Sequence, residues 1–509
     1  MHRKKIFRIT IFTFMVIAIA VSVFTISCAA NKRQKETVKV TEMRFGFTTE
    51  PSTFDPLNPA NTADGRSILF NVFEGLVKPD AEGRLQPCIA ESWTVEQDAL
   101  VYNFTLRENI RFHDGSVLNS SDVKFSLDTA IAAGFSGLSN ISEVTAADER
   151  HISVILKSPD PEFLPYMTVG IVKAANTDRE KSIIGTGPYF IESYTIQQNI
   201  IMKKFDNYRQ RGLPHLEKIT IVFFANYDTL MVAMRAGSID GSFITGAMVS
   251  QLDQNQFDIF DNNSAAVHLL ALNNEAPPLN DIRVRRAVNY GIDIQGIIDT
   301  AFFGAGSPSG SPIIPGLSEY YVNGLSYPYN PDMARSLLAE AGFSAERKPV
   351  IEITVPSNFT MHVDTAQVIA GQLSIIGVDT SIKLVDWASW LSDIYFGRQF
   401  QATIVSLDSP NVSPRSFLTR YLSTNGSNFI NFKNTDFDKV YNAALAENDN
   451  ASRINYYKEA QRIIADNAAS VYIQDILYYI ALRAGAFAGV LNYPLYVIDF
   501  ASIYGIDKN

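Results

Sequence analysis

Val350-Ile351-Glu352-Ile353-Thr354-Val355, followed by Val368, Ile369, Leu373 and Ile376 at helical spacing ahead of Gly377, and then by residues 378–385 with Val378, Thr380, Ile382 and Leu384 on one face, reads as strand, helix, strand. Such a crossover unit builds sheets whose faces are covered by helices. The segment before it, Asn330-Pro331-Asp332-Met333-Ala334-Arg335-Ser336-Leu337-Leu338-Ala339-Glu340-Ala341-Gly342, offers an N-cap, a proline in the first turn, an apolar stripe and a glycine stop. This half of the chain is therefore expected to be α/β. Two more helices are expected at about 436–447 and 452–466, ahead of a stretch rich in Tyr and Ile from Val471 onward. Upstream, Tyr102, Phe104 and Leu106 alternate with polar neighbours, as do Ile152, Val154 and Leu156 and then Ile219, Ile221 and Phe223, each predicting a strand. No internal repeat is visible.

A chain of 509 residues exceeds one typical domain and calls for more than one core. Hydrophobic residues at 46% and charged residues at 19% suit a folded α/β body without disordered tracts. The formal charge of −10 becomes about −14 without Arg3, Lys4, Lys5 and Arg8 of the leader. With no long basic run, nucleic acid is not an expected partner. The leader itself is a basic segment and an apolar run, Ile9 to Ile26, closing on Ser27-Cys28-Ala29-Ala30. A cysteine there resembles the lipobox of bacterial lipoproteins, which implies a signal peptide over 1–27, an acylated Cys28 and a polar tether to residue 42. Thr25 and Ile26 depart from the usual lipobox, and the run is long enough for an uncleaved anchor as the alternative. Either reading exports the body. Cys28 and Cys88 are the only cysteines, so neither a disulfide framework nor a cysteine metal cluster is available.

Catalytic constellations are missing. The sequence has no GxSxG, HExxH, P-loop or GxGxxG, and Gly304-Ala305-Gly306 reads as a loop. His113, His151, His215, His268 and His362 lack metal-ligand spacing and read as packing or surface residues. No enzyme activity, metal or cofactor is expected.

Several segments, in one order, resemble bacterial extracytoplasmic solute-binding proteins of family 5, the oligopeptide, dipeptide and nickel receptors of ABC importers. They begin with Phe45-Gly46-Phe47-Thr48-Thr49-Glu50-Pro51-Ser52-Thr53-Phe54-Asp55-Pro56, Asn71-Val72-Phe73-Glu74-Gly75-Leu76-Val77 and Ile89-Ala90-Glu91-Ser92-Trp93. The stretch from Phe104-Thr105-Leu106-Arg107 through Phe112-His113-Asp114-Gly115 to Ser121-Asp122-Val123-Lys124-Phe125-Ser126 is the most specific, followed by Gly185-Thr186-Gly187-Pro188-Tyr189 and the segment 281–293 around Arg283, Arg285 and Arg286. Each of these also has a plain scaffold reading, as turn, capped helix or solvated helix face.

The resemblance implies a two-lobed periplasmic-binding-protein-like (type II) α/β fold that closes on its ligand. Lobe I would comprise 43–67, 183–275 and 484–509, with an extra subdomain at 68–182, and lobe II would comprise 276–483. It also implies an exported, lipid-anchored, monomeric receptor that hands a peptide or other small solute to an ABC permease. In peptide-binding members a tryptophan lines the cleft, and Trp387 matches it; Trp390, one turn on, suits the core. The family's amine-binding aspartate falls, without gaps, on Pro410, so Asp408 is the candidate substitute, in a loop with Ser409 and Asn411. Thr49 and Glu50 are the candidates on the opposite lobe. Without that aspartate, a metal chelate or a sugar-derived solute is the alternative ligand. Two rivals of other classes are a secreted enzyme on this scaffold and a surface adhesin or folding helper, which would show an open apolar patch, for which the tyrosines at 472, 478, 479, 493 and 496 are candidates. Core packing is the expected role of those tyrosines.

Overall fold

A computed structural model describes residues 39–59, 61–96, 98–135, 137–262, 266–409, 413–476 and 478–507. The leader, Cys28 and Asn411 lie outside the described residues.

Strand β1 (Glu42–Phe47) opens the body, and the chain then leaves for a subdomain. There β2 (Val77–Pro79) pairs with β3 (Leu85–Pro87), and β4 (Ala90–Glu96), β5 (Val101–Leu106), β6 (Ile141–Ala146) and β7 (His151–Leu156) form an antiparallel sheet in the order β4-β5-β7-β6. The alternation works as the sequence implies: Tyr102, Phe104, Leu106, Ile152, Val154 and Leu156 are all buried. The helix Ser120–Ala132 starts on a capping box, with Asn119 accepting from Ser121 N and Asp122 reaching back to Asn119 N.

The chain returns through β8 (Tyr189–Thr195), β9 (Asn199–Lys204), β10 (Lys218–Phe223), β11 (Gly241–Thr245) and β12 (Phe257–Asn262), crosses to β13 (Ala266–Leu272), and continues with β14 (Ser307–Pro308), β15 (Val350–Pro356), β16 (Asp379–Val385), β17 (Ala402–Asp408) and β18 (Ser470–Asp475). It crosses back to β19 (Tyr478–Arg483) and ends on a small pair, β20 (Phe487–Ala488) and β21 (Tyr504–Gly505). Two large sheets result, a seven-stranded one ordered β12-β19-β11-β1-β10-β9-β8 and a six-stranded one ordered β14-β18-β13-β17-β15-β16. Each is the centre of a lobe, and the fold is two-lobed α/β. Sheet membership changes at Ala266 and Tyr478, rather than at 276 and 484. The apolar run Val267–Leu272 belongs to the second core, because it lies between β17 and β18.

The opening crossover is present: β15 and β16 are parallel, in register from Val350↔Asp379 to Pro356↔Val385, and the helix Thr360–Ile375 spans them. Gly377, at φ +85°, turns the chain where a side chain would be strained. Leu384 is exposed because β16 is the edge strand. The helix Pro331–Glu340 has its Asn330 cap accepting from Met333 N, and the late helices run Thr435–Ala446 and Asn450–Asp466.

The scaffold readings of the family motifs hold. His113 clamps the glycine turn, with its Nδ1 accepting from Gly185 N and its Nε2 set 3.0 Å from Gly187 O. A Cβ at Gly185 would lie 1.9 Å from Val72 O, so only glycine permits this approach. Of the expected solvated helix face at 283–286, Arg283 is exposed as expected, whereas Arg285 is buried and donates to the carbonyls of Leu279 and Asn467, and Arg286 donates to that of Asp466, so these two arginines hold the C-terminal end of a helix within the second lobe. At the base of the subdomain, Glu74 receives the Tyr208 hydroxyl, Arg209 and Thr186. Burial and the Glu74 charge push the neighbouring Cys88 thiol up to about 12, which keeps it protonated.

Three imidazoles are buried in neutral form. Burial lowers His113 and His362 to about 4, and it lowers His268, beside His362, well below its ordinary value. The unfolded chain protonates these groups near pH 6.5, whereas the folded one does so near or below pH 4, so each contributes stability that is complete above about pH 6.5 and is lost as pH falls through that window. Denaturant midpoints measured between pH 7.5 and 4.5 should fall progressively, and replacing His268 with Leu should flatten part of the slope.

Candidate functional site

Strand direction places the site. In the second sheet β15 runs parallel to both β16 and β17, so the ends of all three strands open on one edge. In the first sheet β1 runs parallel to both β10 and β11, giving a second such edge. Loops at the carboxyl ends of parallel strands are where α/β sheets receive ligands. The two crossings bring the edges together. Asn262 and Tyr478 are partners in the first sheet, at the end where Tyr478 also faces Thr245, and Ala266 is the partner of Asp408 in the second.

On the second edge, Asp386 caps a short helix by accepting from Ser389 N, which sets the two tryptophans. Trp390 is buried and donates from its indole to Thr403 Oγ1 at 2.9 Å, as its expected core role requires. Trp387 lies flat on it, with ring centroids 5.0 Å apart and planes 5° apart, and keeps 40% of its surface exposed. Phe359, from the loop after β15, meets Trp387 edge-on at 5.5 Å and is also exposed. This is a rigid aromatic shelf whose upper face lacks protein cover. Below it, His362 stacks on His268 at 5.1 Å, and Ser406 Oγ sits 3.1 Å from a nitrogen of each.

Asp408 ends β17. Arg420 holds its carbonyl at 2.8 Å, and the residue is exposed. Ser409 beside it is buried, and Ser413 caps the helix Pro414–Leu418 that follows the loop. By ordinary strand spacing Trp387 and Asp408 stand roughly 10 Å apart, two strands across. Both lie at one edge of the second sheet.

On the first edge, Thr49 is exposed and its amide donates to Asp64 at 3.0 Å. Glu50 Oε1 accepts from the Tyr194 hydroxyl and from Gln197 N, so this carboxylate is engaged in bracing the β8–β9 turn. Beside Thr49 stands a group that sequence reasoning missed: Asp64, which receives the Tyr496 hydroxyl at 2.8 Å, with Tyr227 and Tyr478 near it. Burial raises the Asp64 carboxyl above its ordinary range against these hydrogen bonds. Burial, with Tyr227, Asp64 and Asp408 nearby, pushes the Tyr478 phenol up to about 12, which places Asp408 of one lobe within electrostatic range of Tyr478 of the other. The tyrosine-rich tail therefore divides. Tyr472 and Tyr493 are buried with hydrogen-bond partners, whereas Tyr478 and Tyr496 remain partly exposed at the junction of the lobes. The ring of Asp64 was not legible because its partners come from residues 49, 227, 478 and 496.

Ser406 Oγ has the imidazoles of His268 and His362 beside it, and among the described residues no three His, Cys, Asp or Glu side chains cluster as metal ligands. An aromatic shelf and a carboxylate facing a wall of phenols can enclose an organic solute that carries a cationic group.

Comparison with known proteins bears on the fold and the family. The heme-binding protein A of Haemophilus influenzae is 26% identical over 434 residues, 75% of this chain and 78% of that protein. The glutathione-binding protein GsiB of Escherichia coli K12 is 26% identical over 447 residues, 81% and 85% of the two chains. Among solved structures, the unliganded open form of the periplasmic murein tripeptide-binding protein MppA superposes with a TM-score of 0.82 at 21% identity, covering 93% of this chain and 98% of that one. Residues 84–429 match the model of the bacterial extracellular solute-binding proteins, family 5, and the chain belongs to that family.

Proposed function

We propose that the chain is the receptor of an ABC importer, capturing a peptide or a related small solute between its two lobes and delivering it to a membrane permease without bond chemistry. The observation that carries this reading is the meeting of two parallel-strand edges, with Trp387 and Asp408 on one side and Thr49, Asp64 and Tyr478 on the other. The similarity to a glutathione-binding and a tripeptide-binding protein favours a peptide. In this reading Trp387 carries a ligand side chain or peptide plane on its open face, and Asp408 pairs with the α-amino group. Ser409 and Asn411 are the further candidate contacts in that stretch of sequence, and Thr49 belongs to the opposing wall, with Glu50 bracing the β8–β9 turn beside it. The body acts as a monomer outside the cytoplasmic membrane, tethered through an acylated Cys28. Lobe I comprises residues up to Asn262 and from Tyr478 onward, with the subdomain at 68–182, and lobe II lies between.

Closure has a steric requirement at Gly246, which begins the short helix Gly246–Val249 after β11. A Cβ there would lie 2.1 Å from the Cβ of Ala305 in the other lobe. Gly246→Val should wedge the lobes apart, so that saturating ligand no longer reduces the radius of gyration measured by small-angle scattering. Calorimetric titration with tripeptides tests the site itself. Asp408→Ala should weaken free-amine peptides by about 2 kcal/mol or more, roughly thirtyfold in Kd, and leave N-acetylated peptides unchanged. Trp387→Ala should weaken both kinds. Tight binding of a metal chelate or a heme-like solute, with no response to peptides, would keep the receptor and overturn the peptide.

A further inference from the structure

Beyond the cleft, a second set of contacts joins the lobes through side chains that face no ligand. After β7 the subdomain chain turns at Asp160, whose carbonyl receives the Tyr102 hydroxyl from β5 and whose Oδ1 receives the amide of Glu162. Both carboxylates are buried, and both reach across to the second lobe. Asp160 pairs with Arg415, whose guanidinium burial would weaken but for the Asp160 charge, which holds it above its ordinary value. Glu162 receives the hydroxyl of Tyr457, fully buried on the helix Asn450–Asp466. Glu162 also faces Arg453 from that helix, with Tyr320 and Tyr166 completing the surroundings.

Two features go beyond packing. Arg415 sits in the first turn of Pro414–Leu418, the helix that closes the loop carrying Asp408 and Ser409, so the subdomain grips one end of the ligand loop. Arg453 Nε is a buried donor with no hydrogen-bond partner, 3.8 Å from Glu162 Oε1, and a small approach of the two bodies would complete that bond. A buried charge with its partner withdrawn is costly, so a contact of this kind is nearly all-or-none.

We propose that Asp160 and Glu162 form an interlobe latch with Arg415, Arg453 and Tyr457 that fixes the ligand loop and stabilises the closed form, making these five positioning residues for a ligand they do not touch. A contact made by the protein with itself that strengthens as the lobes approach multiplies the affinity for every ligand by one factor. A residue that touches the ligand discriminates among ligands instead. The effect on affinity rests on the receptor reading above, whereas the effect on lobe separation does not.

The test uses the exported body with dyes at Glu143→Cys in the subdomain and Lys439→Cys in the second lobe, both exposed, while the native Cys88 is buried and unreactive. Asp160→Asn and Glu162→Gln keep shape and remove charge, and Asp160→Arg with Arg415→Asp reverses the pair as a control for folding. In ligand-free protein the two neutral variants should show lower energy transfer than wild type, and the reversed pair should recover part of it. Their Kd values for two chemically different ligands should rise by the same factor, about tenfold. Unchanged energy transfer in folded variants would overturn the latch, whether or not a ligand is known. Loss of affinity for one ligand and not the other would overturn it as well, by making these residues part of the ligand site.

Discussion

Because the chain passes between its two large sheets only at the ends marked by Asn262 and Ala266 and by Asp475 and Tyr478, the edges of the two sheets are held within a few residues' reach of each other. That connection fixes which side chains meet. The strands that end there, β1 and β10 in one lobe and β15, β16 and β17 in the other, deliver Thr49, Tyr227, Phe359, Trp387 and Asp408 to the same gap without any of them being near another in sequence beyond its own loop. The buried residues sort accordingly, with one apolar cluster uniting the first sheet with the subdomain and two others covering the opposite faces of the second sheet.

Polar burial divides along the same line. Where Glu74 meets Arg209 and Tyr208, or Arg285 meets the end of a helix, every partner lies within one lobe and its subdomain, and the interaction is part of a rigid body. Where Asp160 meets Arg415, or Asp408 approaches Tyr478, the partners lie on different lobes. In the proposed latch, contacts of the second kind bias the lobes toward each other, and a ligand adds to that bias rather than creating it.

The sequence was legible where local chemistry decides the outcome. Asn330, Pro331 and Gly342 bound a helix by capping and steric rules that operate within a few residues, and Tyr102, Phe104 and Leu106 are inside because a strand alternates. Trp387 and Asp408 could be named as candidates because Trp387 follows β16 and Asp408 ends β17, each in a recognisable local stretch. Asp64 could not, since its significance lies in Thr49, Tyr478 and Tyr496, which the fold brings to it from remote positions. Asp160, Arg415 and Arg453 were opaque for the same reason, and Glu50 looked open until the β8–β9 turn was seen to occupy it. The strand Val267–Leu272 was assigned to the wrong side of the crossing because an apolar run carries no mark of which sheet it will join.

The central claim is that this body encloses a small solute between its lobes. Native mass spectrometry of the protein from Asn31 onward, purified without refolding and then denatured, tests it most directly. The account predicts one small molecule per chain in the native spectrum, released on denaturation with a defined mass of peptide size. A chain found empty, which also gains no thermal stability from peptide and metal-chelate libraries, would contradict it.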